Sequence, residues 1–157
     1  MAKSHEFHAA LRWTGAERGP TADYRSYSRN YRIAIAGKPP LEGSADPAFH
    51  GDAGRHNPED LLVASLSACH LLTYLALCAR AGIAVTAYED AASGTMVLEG
   101  GGGHFTEVVL RPRVTLAAGA DAAEARRLHE VAHGHCFVAA SVNFPVRNEP
   151  EIVVAAA

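Results

Sequence analysis

The chain has 157 residues, a formal net charge of -3, and 48% hydrophobic against 20% charged residues. Such a length and balance suit a single domain over residues 1–157 that buries a core without metal or disulfide staples. With a pI near 6.3 there is no reason to expect nucleic acid or a membrane surface as partner. The first residues hold no apolar signal core, and the long apolar stretch is read as too interrupted to span a bilayer. A cytoplasmic protein is therefore expected. In that reducing compartment three cysteines point to redox or catalytic use, or to plain burial, rather than to a disulfide framework. The nine histidines hint at acid/base or metal chemistry, and scattered surface histidines account for them equally well.

From the N-terminus, a broken alternation of Phe7, Ala9, Leu11 and Trp13 predicts a strand. Residues 14–21, TGAERGPT, form a turn. Residues 22–36 alternate again, which places Arg25 and Arg29 on one strand face and makes 1–36 an N-terminal β-hairpin. The Gly-, Pro- and Asp-rich run 37–56 is a long connection without periodicity, and connections of that length are usually functional. Residues 57–82 are the central helix, with Asn57 as N-cap, Pro58 at the first position, Glu59 and Asp60 in the first turn, and Gly82 as stop. Because the helix is apolar on nearly all sides, it is expected to be buried. Residues 83–90, 94–98 and 105–116 read as strands, the last interrupted by Pro112, with a glycine turn at 100–103. A second helix spans 121–135, then a helical turn leads to a final strand at 142–146, and Pro150 and the tail close the chain. The expected class is α+β, with antiparallel sheets around the long central helix.

Three sets of residues are able to carry chemistry. Cys69 and Cys78 share the central helix nine residues apart, so they lie ~180° apart around it and ~13.5 Å apart along it. That exceeds the ~7 Å Cα separation a disulfide tolerates. Cys136 can meet only one of them. Each thiol is either a buried small hydrophobe or an activated sulfur. For Cys69 the second reading gains weight, because an Arg-rich hairpin can supply a guanidinium that favours the thiolate, and Glu59 can hold that guanidinium through a bidentate bond. A competing pattern is His129-Glu130-Val131-Ala132-His133, in which two histidines on one helical face bind Zn²⁺ and Glu130 serves as general base. No spaced third ligand follows it, and the favoured reading leaves His129 and His133 on the helix surface or at an interface. A phosphate-cradling glycine loop and a nucleophile elbow around Ser65, Ser67 or Ser141 are both missing.

NPEDLLVASLSACH at 57–70 and CFVAASVNFPV at 136–146, with the turn after Trp13 and SADPAFHGD at 44–52, resemble the OsmC/Ohr superfamily of osmotically induced and organic hydroperoxide resistance proteins. His70 follows Cys69 where the Ohr branch usually has Phe, so the chain looks closer to an OsmC-like branch. The resemblance implies a thiol-dependent peroxidase that reduces organic hydroperoxides, with hydrogen peroxide as a second candidate substrate, and with no haem, flavin or metal cofactor. By this resemblance Cys69 is peroxidatic, Cys136 resolving, and Glu59 orients the activating arginine. Arg29 is the first choice for that arginine and Arg18 the second. The resemblance also implies an intertwined homodimer and a dithiol reductant, either a lipoylated protein or a thioredoxin-like one. The alternatives are a non-catalytic, small-ligand-binding dimer of the same fold, or a zinc hydrolase using His129, Glu130 and His133.

Overall fold

Three three-stranded sheets and two α-helices build the protein, described over residues 3–156 in a computed structural model. Residues 1, 2 and 157 of the expected domain lie outside the described residues. The class is α+β, as expected. The chain divides into two compact units, Met1–Leu61 and Leu62–Ala157.

In the first unit, β1 (Ala10–Trp13), β2 (Tyr31–Ala34) and β3 (Leu41–Gly43) form an antiparallel sheet in that order. The hairpin exists, but its second arm begins only at Tyr31. Upstream, the Asp23 carboxylate accepts hydrogen bonds from the backbone N–H groups of Arg25 (2.9 Å) and Ser26 (3.1 Å), a local turn that competes with strand formation. Arg25 and Arg29 therefore share no strand face. The 37–56 connection is also more structured than its composition suggests, since it holds β3 and a 3-10 turn at Pro47–Phe49 whose N-cap is Asp46.

Helix α1 runs Pro58–Arg80. Asp60 N–H donates to Asn57 Oδ1 (2.7 Å) and Asn57 N–H donates to Asp60 Oδ2 (3.4 Å), a reciprocal cap with an aspartate in the usual glutamate position. At its other end Gly82 sits at φ 71° and Ile83 N–H bonds to the Cys78 carbonyl (2.9 Å), which closes the helix as expected.

The second unit adds β4 (Val85–Asp90), β5 (Ser93–Glu99), β6 (Gly102–Leu110), β7 (Pro112–Leu116), α2 (Ala122–His135), β8 (Val146–Asn148) and β9 (Glu151–Val154). The strand expected over 105–116 is two strands in two sheets, β5-β6-β8 and β4-β7-β9. At the break, Arg111 N–H donates to Asp90 Oδ1 (2.7 Å) instead of to a neighbouring strand. Both sheets are mixed, because β8 pairs parallel with β6 and β9 parallel with β7. The last strands lie further along the chain than expected. A 3-10 turn at Ala139–Ser141 delays β8, and the tail after Pro150 is itself a strand. The β5–β6 turn is the glycine pair Gly100 (φ 59°) and Gly101 (φ 80°), the backbone sign that a two-residue hairpin loop demands.

Helix α1 is long and apolar enough, by length and composition, to cross a membrane, which the sequence reading had not granted it. Within this chain it buries one stripe, Leu66, His70, Tyr74 and Cys78, each four residues from the next. Leu66 packs with Val108, Leu110 and Val146, while Tyr74 and Cys78 pack with Ile83, Val114, Leu116, Ala125, Leu128 and Ala132. Between these clusters a polar link joins the two helices. His70 Nε2 and His129 Nδ1 share one N–H···N hydrogen bond of 3.0 Å, with both rings buried and nearly coplanar. The Tyr74 ring stacks on His129 at 3.8 Å between centroids. The remaining nitrogens, His70 Nδ1 and His129 Nε2, have no partner among the described residues, so each ring depends on the other for its single hydrogen bond. Leaving one buried ring unpaired costs about 1–3 kcal/mol.

Two outcomes are expected from this architecture. Asn57→Ala removes the α1 cap at a cost of about 1 kcal/mol, read as a melting temperature about 2–4 °C lower. Burial, reinforced by neighbouring positive charge, depresses His70 from 6.5 to about 4 and His129 to about 3, against an opposing pull of Asp90 on His70. The fold thus holds both rings neutral, and their contribution is complete above pH ~6.5 and lost as pH falls toward ~4. Thermal melts across that window should show stability declining before the carboxylates titrate. A profile still level at pH ~5 contradicts the neutral pair.

Candidate functional site

The second unit brings together two of the three cysteines. Cys69 stands on α1, one turn beyond the buried Leu66, and is partly exposed. Cys136 is the C-cap of α2, only 2% exposed, with its N–H bonded to the His133 carbonyl (3.3 Å). Cys136 sits at a helix end, whereas the rigid middle of a helix fixes Cys69. Their thiols are close enough for Cys69 to act on Cys136, although 67 residues separate them in the chain. The Ala139 N–H also points at Cys136 Sγ, at 3.5 Å. Burial pushes the Cys136 thiol up to about 11, and the neighbouring Cys69 thiol adds to that rise. Residues flanking both sulfurs, Leu66 before Cys69 and Val138 and Ala139 after Cys136, enter one apolar cluster. Cys78 is 1% exposed, sits in the other cluster and has its thiol raised chiefly by burial, the behaviour of core filling.

Around the helix turn that bears Cys69, Ser67 Oγ donates to Asp90 Oδ2 (2.5 Å), and the other oxygen of Asp90 takes the Arg111 N–H. Those bonds tie α1 to the point where the chain changes sheets. Neither Ser67 nor Asp90 was singled out from the sequence for this role, since side chains 23 residues apart carry no periodic signal.

The remaining expected site residues belong to the first unit. Arg29 is committed locally: its guanidinium donates to the Tyr27 carbonyl (2.6 Å) and to the Tyr24 carbonyl, and lies over both rings, 3.8 Å from the Tyr27 centroid. Arg18 ends the 3-10 turn Thr14–Arg18, is exposed, and makes no ion pair among the described residues. It lines two polar clefts of about 280 and 200 Å³, the first shared with Arg25, Arg29 and Asp52, the second with Arg12, Arg32 and Arg55. Glu59, on the first turn of α1, pairs with neither Arg18 nor Arg29 among the described residues. Its charge instead adds to the burial that raises the Tyr31 hydroxyl.

The zinc pattern fails on geometry. His129 was expected on the surface or at an interface, but it is fully buried with Nδ1 engaged by His70, and Glu130 is exposed. No group of three His, Cys, Asp or Glu able to hold a metal forms among the described residues. The physical reason is the pitch of α2, which turns His129 inward with Ala125, Leu128 and Ala132. The sequence did carry a signal for His70, whose spacing of four from Leu66, Tyr74 and Cys78 puts it on the buried stripe. Nothing in the sequence joined it to His129.

A family model described as OsmC-like protein matches residues 50–151. A solved OsmC-like protein of unknown function from Vibrio cholerae superposes with a TM-score of 0.85 at 29% identity, covering 94% of this chain and 99% of that one. An organic hydroperoxide resistance protein from Elizabethkingia anophelis gives a TM-score of 0.69 at 21% identity, with 99% and 100% of the two chains covered. Another, from Legionella pneumophila, gives 0.64 at 15% identity, with 97% and 99% covered. Those two likenesses concern the fold alone. A search of the curated proteins finds no match. With the matching family model covering well over half of its length, this chain belongs to the OsmC-like protein family.

Proposed function

We propose that the chain is a thiol-dependent peroxidase that reduces organic hydroperoxides to alcohols. The observation that carries the reading is that the Cys69 and Cys136 thiols neighbour each other, one partly exposed and one buried. The exposed sulfur meets substrate, and the buried one, held as a thiol by its raised pKa, waits for the product of the first step. Cys69 as thiolate attacks the outer oxygen of ROOH, the O–O bond breaks, and ROH leaves with one proton. Cys69 becomes a sulfenic acid. Cys136 then attacks that sulfur, a disulfide forms, and water departs. An external dithiol, of the lipoyl or thioredoxin type, takes up the oxidation by thiol exchange. The apolar cluster beside the thiols suits the alkyl part of an organic peroxide.

For the activating arginine we favour Arg18, whose guanidinium makes no ion pair among the described residues, over Arg29, whose hydrogen bonds and stacking already serve its own loop. Glu59, without an ion pair among the described residues, retains a carboxylate able to orient that guanidinium. The active form is proposed to be a homodimer. Support comes from the side of α1 opposite its buried stripe, where Ala64, Ala68, Leu72 and Ala76 are exposed, Leu72 by 67%.

With a dithiol as reductant, Cys69→Ser should abolish consumption of an organic hydroperoxide, and full activity in that variant overturns the reading. Cys136→Ser should consume one equivalent to form the sulfenic acid and then a second, more slowly, to accumulate sulfinic acid at Cys69, seen as a mass gain of two oxygens. Arg18→Ala is expected to slow Cys69 oxidation at least about tenfold with an unchanged melting temperature. Arg29→Ala should instead lower the melting temperature. The reverse pattern reassigns the role to Arg29.

A further inference from the structure

Beyond the two sulfurs, we infer that the His70–His129 pair is a positioning device that sets the Cys69–Cys136 geometry. The inference rests on the reading of those cysteines as the redox pair. His70 is the residue after Cys69 on α1, and His129 lies seven residues, about two helical turns, before Cys136 at the end of α2. The 3.0 Å hydrogen bond between the rings thus links the turn bearing one thiol to the helix bearing the other.

A polar link does here what apolar packing does not. Hydrophobic burial is non-directional, so the contacts of α1 with Ala125, Leu128 and Ala132 define its rotation less sharply than a hydrogen bond does. A rotation of only ~30° about the α1 axis swings a side chain by ~2 Å, as much as the whole length of a disulfide bond. A ring-to-ring hydrogen bond between two buried groups with no other partners fixes both rotation and height, because any slip leaves both unpaired. Tyr74, stacked on His129 and one turn beyond His70, blocks the other ring face. The groups facing the pair, Asp90, His133 and Arg126, act on it only through their charge. Neither imidazole needs to touch peroxide or exchange a proton with it.

The test measures the equilibrium of the Cys69–Cys136 dithiol with oxidised and reduced dithiothreitol, which reports how well the sulfurs are juxtaposed and involves no peroxide. Two thiols become a disulfide as the cyclic disulfide of the reagent becomes two thiols. His129→Asn, whose amide stands where Nδ1 stood, should keep the equilibrium constant within about twofold of the parent. His129→Gln, whose amide reaches the Nε2 position instead, and His129→Leu should each lower it about tenfold or more. Melting temperatures, compared in parallel, separate positioning from stability. If His129→Leu does not fold, the Asn and Gln variants, both polar, decide. Equal constants for Asn and Gln overturn the inference, as does any trend that follows melting temperature alone. A parent protein that forms the disulfide with dithiothreitol but consumes no organic hydroperoxide defeats the peroxidase reading and leaves the positioning role intact. A parent that does not form it defeats both.

Discussion

Helix α1 reaches the rest of the second unit through side chains four residues apart, and that spacing constrains everything built on it. Four consecutive places on one stripe are occupied by Leu66, His70, Tyr74 and Cys78. The outer two serve separate apolar clusters, one under β6 and β8, the other under β4, β7 and α2. Position 70 falls between the clusters, where a charged or unpaired group is costly. The ring of His129 meets that demand, and Tyr74 closes over it. Because the stripe is one residue out of phase with Cys69, holding His70 inward leaves the sulfur at the edge of the core, half in and half out.

That edge position suits the division of labour proposed for the two thiols. A sulfur in the centre of the core, such as Cys78, is walled off and held protonated by burial. Cys136 shares that burial, yet as a helix cap it belongs to a segment with fewer constraints than a helix interior, and the 3-10 turn after it begins a new direction. A resolving thiol has to approach a partner after that partner has changed, so a cap suits it better than a mid-helix position. The sulfur that meets substrate gains from the opposite condition, a fixed place on a rigid rod.

Much of this was legible in the residues. Asn57-Pro58 with Asp60 marked the start of α1 and Gly82 its end, because caps are local chemistry. The glycine pair at 100–101 and the Asp121 cap of α2 were readable for the same reason. Features set by distant parts of the chain were not. Pro112 announced an interruption but not that the strand changes sheets there, which depends on Asp90 receiving the Arg111 amide. The parallel pairings of β8 and β9 depend on strands formed about 40 residues earlier. Alternation misled at 22–30, where the Asp23 side chain captures the backbone and ends the pattern. Among the site residues, the motif order separated Cys69 and Cys136 from Cys78. The burial of His129 follows from its apolar neighbours on α2, Ala125, Leu128 and Ala132, a signal that outweighs its spacing from His133.

The composition of α1 also encodes something its own unit does not use. One stripe is buried here, and the stripe offset from it by two residues, Ala64, Ala68, Leu72 and Ala76, is apolar and exposed. A helix that served a single core would place charge or amide there, since solvent-facing positions accept polar residues at no cost in packing. Three alanines and a leucine instead make a smooth ridge on which another helix can approach closely, the leucine filling the gap between small neighbours. The stretch is free of Asp, Glu, Lys and Arg from Leu61 to Ala79, which keeps such an approach free of buried charge. The two stripes face opposite ways, so a rod read as apolar on nearly all sides becomes a rod with two distinct faces, one satisfied by its own chain and one suited to a second copy.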